Sequence, residues 1–274
     1  MILAHIIVLL VTGMAVGFIG GLLGLGGAFI MTPVQYMVYT AMGLSADMAV
    51  RLAFGTSLLV VLPTAISGAW RHHQKKKVWW RAVFIMGGGG LVFAFIGATM
   101  ATQLSGVILK IAFGVIVLIS GGRMLTARQP RYKKEAVTNP WLWFAWSIPL
   151  GLVAGILGIG GAIVMIPVLV LVLRFEMHYA IATSLGVMIF MSIGGIAGYI
   201  INGIGVPGLP SFSIGYINLP SWALLTVTSV GMAQVGAMLS QKLPARQLKY
   251  LFIAIMLYMG LKMIGVFDWL GWPL

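Results

Sequence analysis

Gly17-Phe-Ile-Gly-Gly-Leu-Leu-Gly-Leu-Gly-Gly-Ala-Phe-Ile-Met-Thr-Pro33 returns 134 residues later as Gly151-Leu-Val-Ala-Gly-Ile-Leu-Gly-Ile-Gly-Gly-Ala-Ile-Val-Met-Ile-Pro167. Gly17, Gly21, Leu23, Gly24, Gly26, Gly27, Ala28, Met31 and Pro33 all recur. Self-similarity at a fixed offset is the signature of a repeated structural unit. The likeness continues outward. Ala53-Phe-Gly-Thr-Ser-Leu58 matches Ala180-Ile-Ala-Thr-Ser-Leu185. Gly97, Leu104, Lys110, Phe113 and Gly121 match Gly236, Leu243, Lys249, Phe252 and Gly260. The chain therefore divides into a first repeat, 1–125, a polar linker, 126–139, and a second repeat, 140–274.

The medium follows from composition. Of 274 residues, 61% are apolar and 8% charged, with a mean hydropathy of +1.07, against about 25% charged in a soluble domain. Leu142–Leu173 and Ile181–Ile217 are each long apolar stretches with no charge within 181–217 or 142–173. Such runs exceed what a membrane-spanning helix needs. A spanning β-barrel would give short alternating segments instead. The chain is thus an all-α polytopic membrane protein. Each repeat holds five apolar segments: 3–22, 28–43, 49–69, 82–103 and 106–125, then 141–157, 162–174, 178–200, 221–241 and 247–270. The N-terminus lacks a basic region and a cleavage site, so the first segment is expected to stay.

The net charge is +13. In this setting it marks cytoplasmic loops facing anionic lipid rather than nucleic acid. Arg71, Lys75, Lys76, Lys77 and Arg81 share one loop; Arg123, Arg128, Arg131, Lys133 and Lys134 share another. Two segments separate these loops, so both lie on one side, the cytoplasm. Loop 202–220 has no Lys or Arg and falls outside. All 17 basic residues but Arg51, Lys110 and Lys262 then lie inside, and both termini lie outside the cytoplasmic (inner) membrane. Loops 71–81 and 202–220 occupy the same repeat position on opposite faces. The repeats are therefore expected to be inverted, the architecture of many secondary transporters.

The second segment of each repeat is too short to cross about 30 Å of hydrocarbon upright. The first two segments form either a re-entrant hairpin or two tilted spans; both leave the sidedness unchanged. Irregular backbone at membrane depth needs protein or a wet cavity around it. Gly24, Gly26, Gly27 and Ala28, with Gly158, Gly160, Gly161 and Ala162, are expected to turn there and present peptide N–H groups at a helix start, a place suited to anions. Gly17, Gly21, Gly151 and Gly155 read instead as helix-packing glycines. Thr56, Ser57, Thr183 and Ser184 could donate hydroxyls to the same anion, or bond back to their own helix. Arg51 and His178, five residues before each Thr, are candidate mouth or gating groups, or else interfacial anchors. Gln35 could line the cavity, although its counterpart is Leu169.

At these residues the chain resembles the TauE/SafE family, the sulfite exporter or TSUP permeases. The two glycine signatures and the two Ala-x-x-Thr-Ser-Leu stretches carry the resemblance. Arg71-His72 ahead of Val78-Trp79-Trp80, and Gly215-Tyr-Ile-Asn218 in the second half, fit it too. It implies transport of sulfite, sulfonates such as sulfoacetate, or related organic acids, in either direction. Loop 202–220, longer than its counterpart and carrying Pro207, Pro210 and Pro220, departs from the first half.

The expected function is a secondary transporter of a small anion, with no cofactor and no catalytic chemistry. An inside-negative potential favours anion exit by about 2.3 kcal/mol per charge per 100 mV, so export needs no coupled ion while uptake does. H⁺ and Na⁺ both stay open as coupling ions, and so does assembly into a homo-oligomer. Two rivals are weaker. A cation or metal permease needs inward carboxylates or a His/Met cluster, and the 18 Met are scattered. An intramembrane enzyme would rest on Ser67 and His72 without a visible third partner. No cysteine exists for disulfide or thiol chemistry.

Overall fold

A chain this apolar must satisfy its peptide groups internally, and helices do so segment by segment. The computed structural model describes residues 3–23, 27–74, 76–126, 136–239 and 245–269. In the first half it forms α1 (Leu3–Leu23), α2 (Ala28–Ala41), α3 (Ala46–Gln74), α4 (Trp80–Gln103) and α5 (Gly106–Thr126). The second half forms α6 (Pro140–Leu157), α7 (Ala162–Pro167) running into a π-helical turn (Val168–Val172), α8 (Met177–Ile201), α9 (Leu219–Leu239) and α10 (Ala245–Ile264). A last turn, α11 (Val266–Trp269), follows. Among the described residues, six helices are long and apolar enough to cross a membrane: α1, α3, α4, α5, α6 and α8. The linker residues 127–135, Gly24 and Gly26 lie outside the described residues.

Local chemistry sets the breaks. Asn139 Oδ1 accepts the Trp141 N–H at 3.0 Å, and Pro140 starts α6 without needing a donor. Gly158 ends α6 in the left-handed region, at φ 64°. Gly27 and Gly161, at φ 66° and 84°, precede α2 and α7. Both following helices are short, as the sequence indicates. The 14 residues of α2 reach about 21 Å at the α-helical rise.

The helices pair across the two halves, and small residues set where they touch. Leu58 of α3 lies under Gly195 of α8, and Leu185 of α8 under Gly68 of α3, so these two helices cross antiparallel. These pairs occupy equivalent repeat positions. The first helix of each half packs on the fourth helix of the other. A Cβ on Gly17 of α1 would stand 2.2 Å from the Ser229 carbonyl oxygen of α9, and one on Gly155 of α6 would stand 2.1 Å from the Ala94 carbonyl of α4. Gly151 meets Gly90 of α4 in the same way. These glycines allow backbone-to-backbone contact that no side chain permits. Gly114 of α5 faces Gly260 of α10, which joins the fifth helices. Along α3 and α9, Trp222 Nε1 donates to the Leu59 carbonyl at 3.2 Å and Gln234 Nε2 donates to Ser67 Oγ at 3.0 Å.

The uncharged loop between α8 and α9 folds back as a short hairpin. Ser213 and Asn218 pair across it, and Ile214 and Ile217 exchange backbone hydrogen bonds. Its end is driven into the protein: Tyr216, Ile217 and Asn218 are 3%, 1% and 3% exposed. The Tyr216 N–H donates to the Tyr199 carbonyl at 3.1 Å. Gly55 of α3 lies so close that a Cβ there would be 2.2 Å from the Tyr216 oxygen.

Candidate functional site

The α3–α8 crossing is where the Gly158–Gly161 turn arrives. Gly158, Gly160 and Gly161 all have positive φ, which glycine adopts without strain. All three are buried. A Cβ on Gly158 would lie 2.5 Å from Phe54 Cα, so the turn sits directly on the α3 backbone. A Cβ on Gly160 would lie 3.0 Å from Val61 Cγ1, 3.3 Å from Met188 Cε and 3.5 Å from Ser192 Oγ. Val61 and Met188 are equivalent positions of the two repeats. Ser192 Oγ is fully buried and has no hydrogen-bond partner. The Gly161 carbonyl accepts the N–H groups of Val164 and Met165, and the Gly27 carbonyl those of Ile30 and Met31. Gly27 itself is wedged against Val16. Of the expected glycine residues, Gly24 and Gly26 lie outside the described residues, as does the side chain of Ala162.

Beside this crossing runs a buried network without formal charge. Ser57 Oγ accepts from Thr32 Oγ1 at 3.0 Å and from Gln35 Nε2 at 2.9 Å. The Tyr39 hydroxyl donates to Gln35 Oε1 at 3.3 Å and reaches Ser221 and Thr56. Every member is fully buried, where a polar group without a partner is costly. The repeat counterparts of Thr32, Gln35 and Tyr39 are Ile166, Leu169 and Leu173. The polar cluster therefore exists in one half only.

Thr56 and Thr183 behave alike, and neither bonds back to its own helix. Thr56 Oγ1 accepts the backbone N–H of Asn218 at 3.0 Å; Thr183 Oγ1 accepts that of Trp79 at 3.2 Å. Asn218 and Trp79 are the residues immediately before α9 and α4. Each threonine thus holds the start of the other half's fourth helix. Asn218 also caps α9: its Oδ1 accepts the Ser221 N–H at 3.0 Å and hydroxyl at 2.7 Å. Trp79 makes no such side-chain cap and packs against Trp143 and Phe175 instead. Ser184 differs from Ser57, for its hydroxyl donates to the Ile181 carbonyl of its own helix at 2.8 Å.

Arg51 reaches inward across the structure. Its Nη2 donates to the Leu104 carbonyl at 3.0 Å, its Nη1 to the Tyr216 hydroxyl at 3.4 Å, and its guanidinium stands 5.8 Å from the Tyr216 ring. It ties the α4–α5 connection and the hairpin to α3. In the other half the equivalent of Tyr216 is Lys77, whose ammonium lies 4.8 Å from the Tyr179 ring. Cation and ring have exchanged places. The side chain of His178 lies outside the described residues. Ser67 takes its hydrogen bond from Gln234, and among the described residues no group of three or more His, Asp or Glu could hold a metal.

Sequence reasoning missed Thr32, Tyr39, Asn218 and Ser221. The Asn218-x-x-Ser221 spacing ahead of an apolar run is a legible cap signal. Nothing local foretells that Tyr39 faces it.

Comparison with known proteins agrees with these features. The chain matches the model of the family described as "Sulfite exporter TauE/SafE" over residues 9–263. A probable membrane transporter protein of Methanocaldococcus jannaschii is 29% identical over 93% of this chain and 94% of its own length. One from Haemophilus influenzae is 28% identical over 94% of this chain and 97% of its own. YunE of Bacillus subtilis, also a probable membrane transporter protein, is 25% identical over 96% and 99%. No solved structure matches.

Proposed function

The chain belongs to the sulfite exporter TauE/SafE family of membrane transporters, and on that premise we propose that it moves a small anion across the cytoplasmic membrane by alternating access. Sulfite, an organosulfonate or a related organic acid is the proposed substrate. The family consists of transporters, not enzymes.

The observation that carries this reading is the Gly158–Gly161 turn seated between Val61 and Met188, at the crossing of the two third helices, with the buried Ser192 hydroxyl beside it. A transporter of inverted repeats binds its substrate near mid-membrane, at the repeat interface, on interrupted helices. The antiparallel α3–α8 crossing and the exchange of first and fourth helices between halves support inversion of repeats 1–125 and 140–274, with the linker cytoplasmic and both termini outside.

In this reading the anion is held by neutral donors. Gly24, Gly26, Gly27 and Ala28, with Gly158, Gly160, Gly161 and Ala162, offer peptide N–H groups, and Ser57 and Gln35 offer side-chain donors. Neutral donors suit a carrier: they bind a charged solute in a low-dielectric site without a buried countercharge that would hold it there. Thr56 and Thr183 work at one remove, fixing the helix starts that flank the site. Ser184 is spent on its own helix and contributes least. Arg51, and His178 at the opposite mouth, draw anions toward the two entrances.

Purified protein in proteoliposomes tests the proposal. Saturable flux of labelled ethanesulfonate or sulfite is expected, accelerated outward by an inside-negative potential. Absence of saturable anion flux in either direction would falsify it.

A further inference from the structure

An open cavity of about 430 Å³ lies beside the loop ahead of α4, walled by Val78, Trp79, Arg174, Phe175, Glu176 and Tyr179. Its size is that of a site for a small organic molecule. We infer that it is a vestibule binding a small monovalent organic anion, gated by the Trp79–Thr183 hydrogen bond. The inference rests on the transporter reading above and assigns one of its two mouths.

Three observations carry it. The first is a contrast between repeat-equivalent places. In the second half, Tyr216, Ile217 and Asn218 plug the corresponding position and are almost wholly buried. In the first half Lys77, Val78 and Trp79 stay partly exposed and leave a cavity. The two gates share a design, since Thr56 holds Asn218 and Thr183 holds Trp79. One is shut against the hairpin; the other stands before an open space.

The second is the chemistry of the wall. Trp79, Phe175 and Tyr179 form an aromatic surface, with Trp79 and Phe175 rings 5.0 Å apart. Such a surface takes an apolar body, and a fully hydrated inorganic ion gains little from it.

The third is charge. Arg174 lines the cavity and Lys77 sits on its Tyr179 wall, against one carboxylate, Glu176. Two cations and one anion leave a single net positive charge. A monoanion satisfies it, whereas a dianion adds repulsion from Glu176. Arg174 is held at φ 58°, with its neighbours Leu173 and Phe175 donating backbone N–H groups to Val168 and Leu169. The vestibule therefore selects a short alkyl sulfonate or carboxylate over inorganic sulfate.

The test titrates ethanesulfonate and sulfate onto the full-length protein in lipid nanodiscs, followed by calorimetry and tryptophan emission. Ethanesulfonate should bind saturably, with sulfate weaker by about ten-fold or more. Arg174→Gln, at an exposed position, should weaken ethanesulfonate by about ten-fold, the scale of one charge-assisted hydrogen bond. Arg174→Lys should recover most of the affinity. Trp79→Phe should lose the emission change while the heat of binding remains. No saturable ethanesulfonate binding, equal sulfate binding, or an Arg174→Gln variant with wild-type affinity would each overturn the vestibule. In any of these cases, wild-type anion flux in proteoliposomes would leave the transporter reading standing. If flux is absent too, that reading falls with it.

Discussion

Thr56 and Thr183 stand at the same place in the two halves, and each hydroxyl accepts the N–H of the residue preceding the opposite half's fourth helix, Asn218 at 3.0 Å and Trp79 at 3.2 Å. A hydroxyl on one half thereby sets the position of a helix start on the other. If the halves rock past one another, these are the bonds that break and reform.

Replacing Thr56 by Val keeps the side-chain shape and removes the acceptor. The buried Asn218 N–H is then unsatisfied, at about 1–3 kcal/mol. Thermal unfolding should fall accordingly, with Thr56→Ser close to wild type. Flux should fall in the same order. A Thr56→Val protein with unchanged melting temperature and flux would show that the bond positions nothing.

The glycine turn responds by position. Gly160→Ala places a Cβ at φ 67° with 3.0 Å to Val61. The left-handed conformation alone costs about 1–2 kcal/mol, so the protein still inserts while flux should drop by more than ten-fold. Gly158→Ala meets the Phe54 backbone at 2.5 Å and should fail to give a monodisperse protein. Wild-type flux in Gly160→Ala would remove the turn from the substrate path.

Gln35→Leu gives the first half the residue the second half already has, Leu169. Ser57 loses one donor and Tyr39 its acceptor. Flux should fall about ten-fold or more at normal expression. The reverse change, Leu169→Gln, buries an amide among apolar neighbours and should lower stability by about 2 kcal/mol or more without building a second site. Equal effects of the two substitutions on flux would argue that the network is not one-sided.

Arg51 clasps the hairpin through Tyr216. The sequence holds no cysteine, so a single Ile217→Cys, at a position 1% exposed, reports hairpin opening cleanly. An impermeant maleimide should react slowly with it in the parent and several-fold faster with Arg51→Gln added. Equal rates would free Arg51 from any role in the clasp.

Much of this architecture is legible in the sequence because it was written twice. Duplication exposes the repeat, the glycine turns and the Thr-Ser pairs, and the short second segments follow from counting residues against membrane thickness. The packing role of Gly17, Gly151 and Gly155 is legible too, since small residues one turn apart have few other uses inside a membrane. What stays hidden is whatever depends on a distant partner. Thr56 looks like a helix-internal hydroxyl until Asn218, 162 residues away, is brought beside it. Gln35 looks weak because Leu169 lacks its chemistry, yet that divergence is what makes the polar network one-sided. The hairpin at 213–218 carries no strong turn pair, and its burial comes from the gap left by Gly55.

The inverted relationship of the halves underlies the mid-membrane site, the two gates and the anion's path. Lys76→Cys and Ser211→Cys, each on the otherwise cysteine-free protein, probe it through exposed residues of equivalent loops. In intact cells an impermeant maleimide should label Ser211→Cys at once and reach Lys76→Cys only after the membrane is opened. Labelling of both residues from the same face would contradict the inversion, and with it a carrier built from two opposed halves.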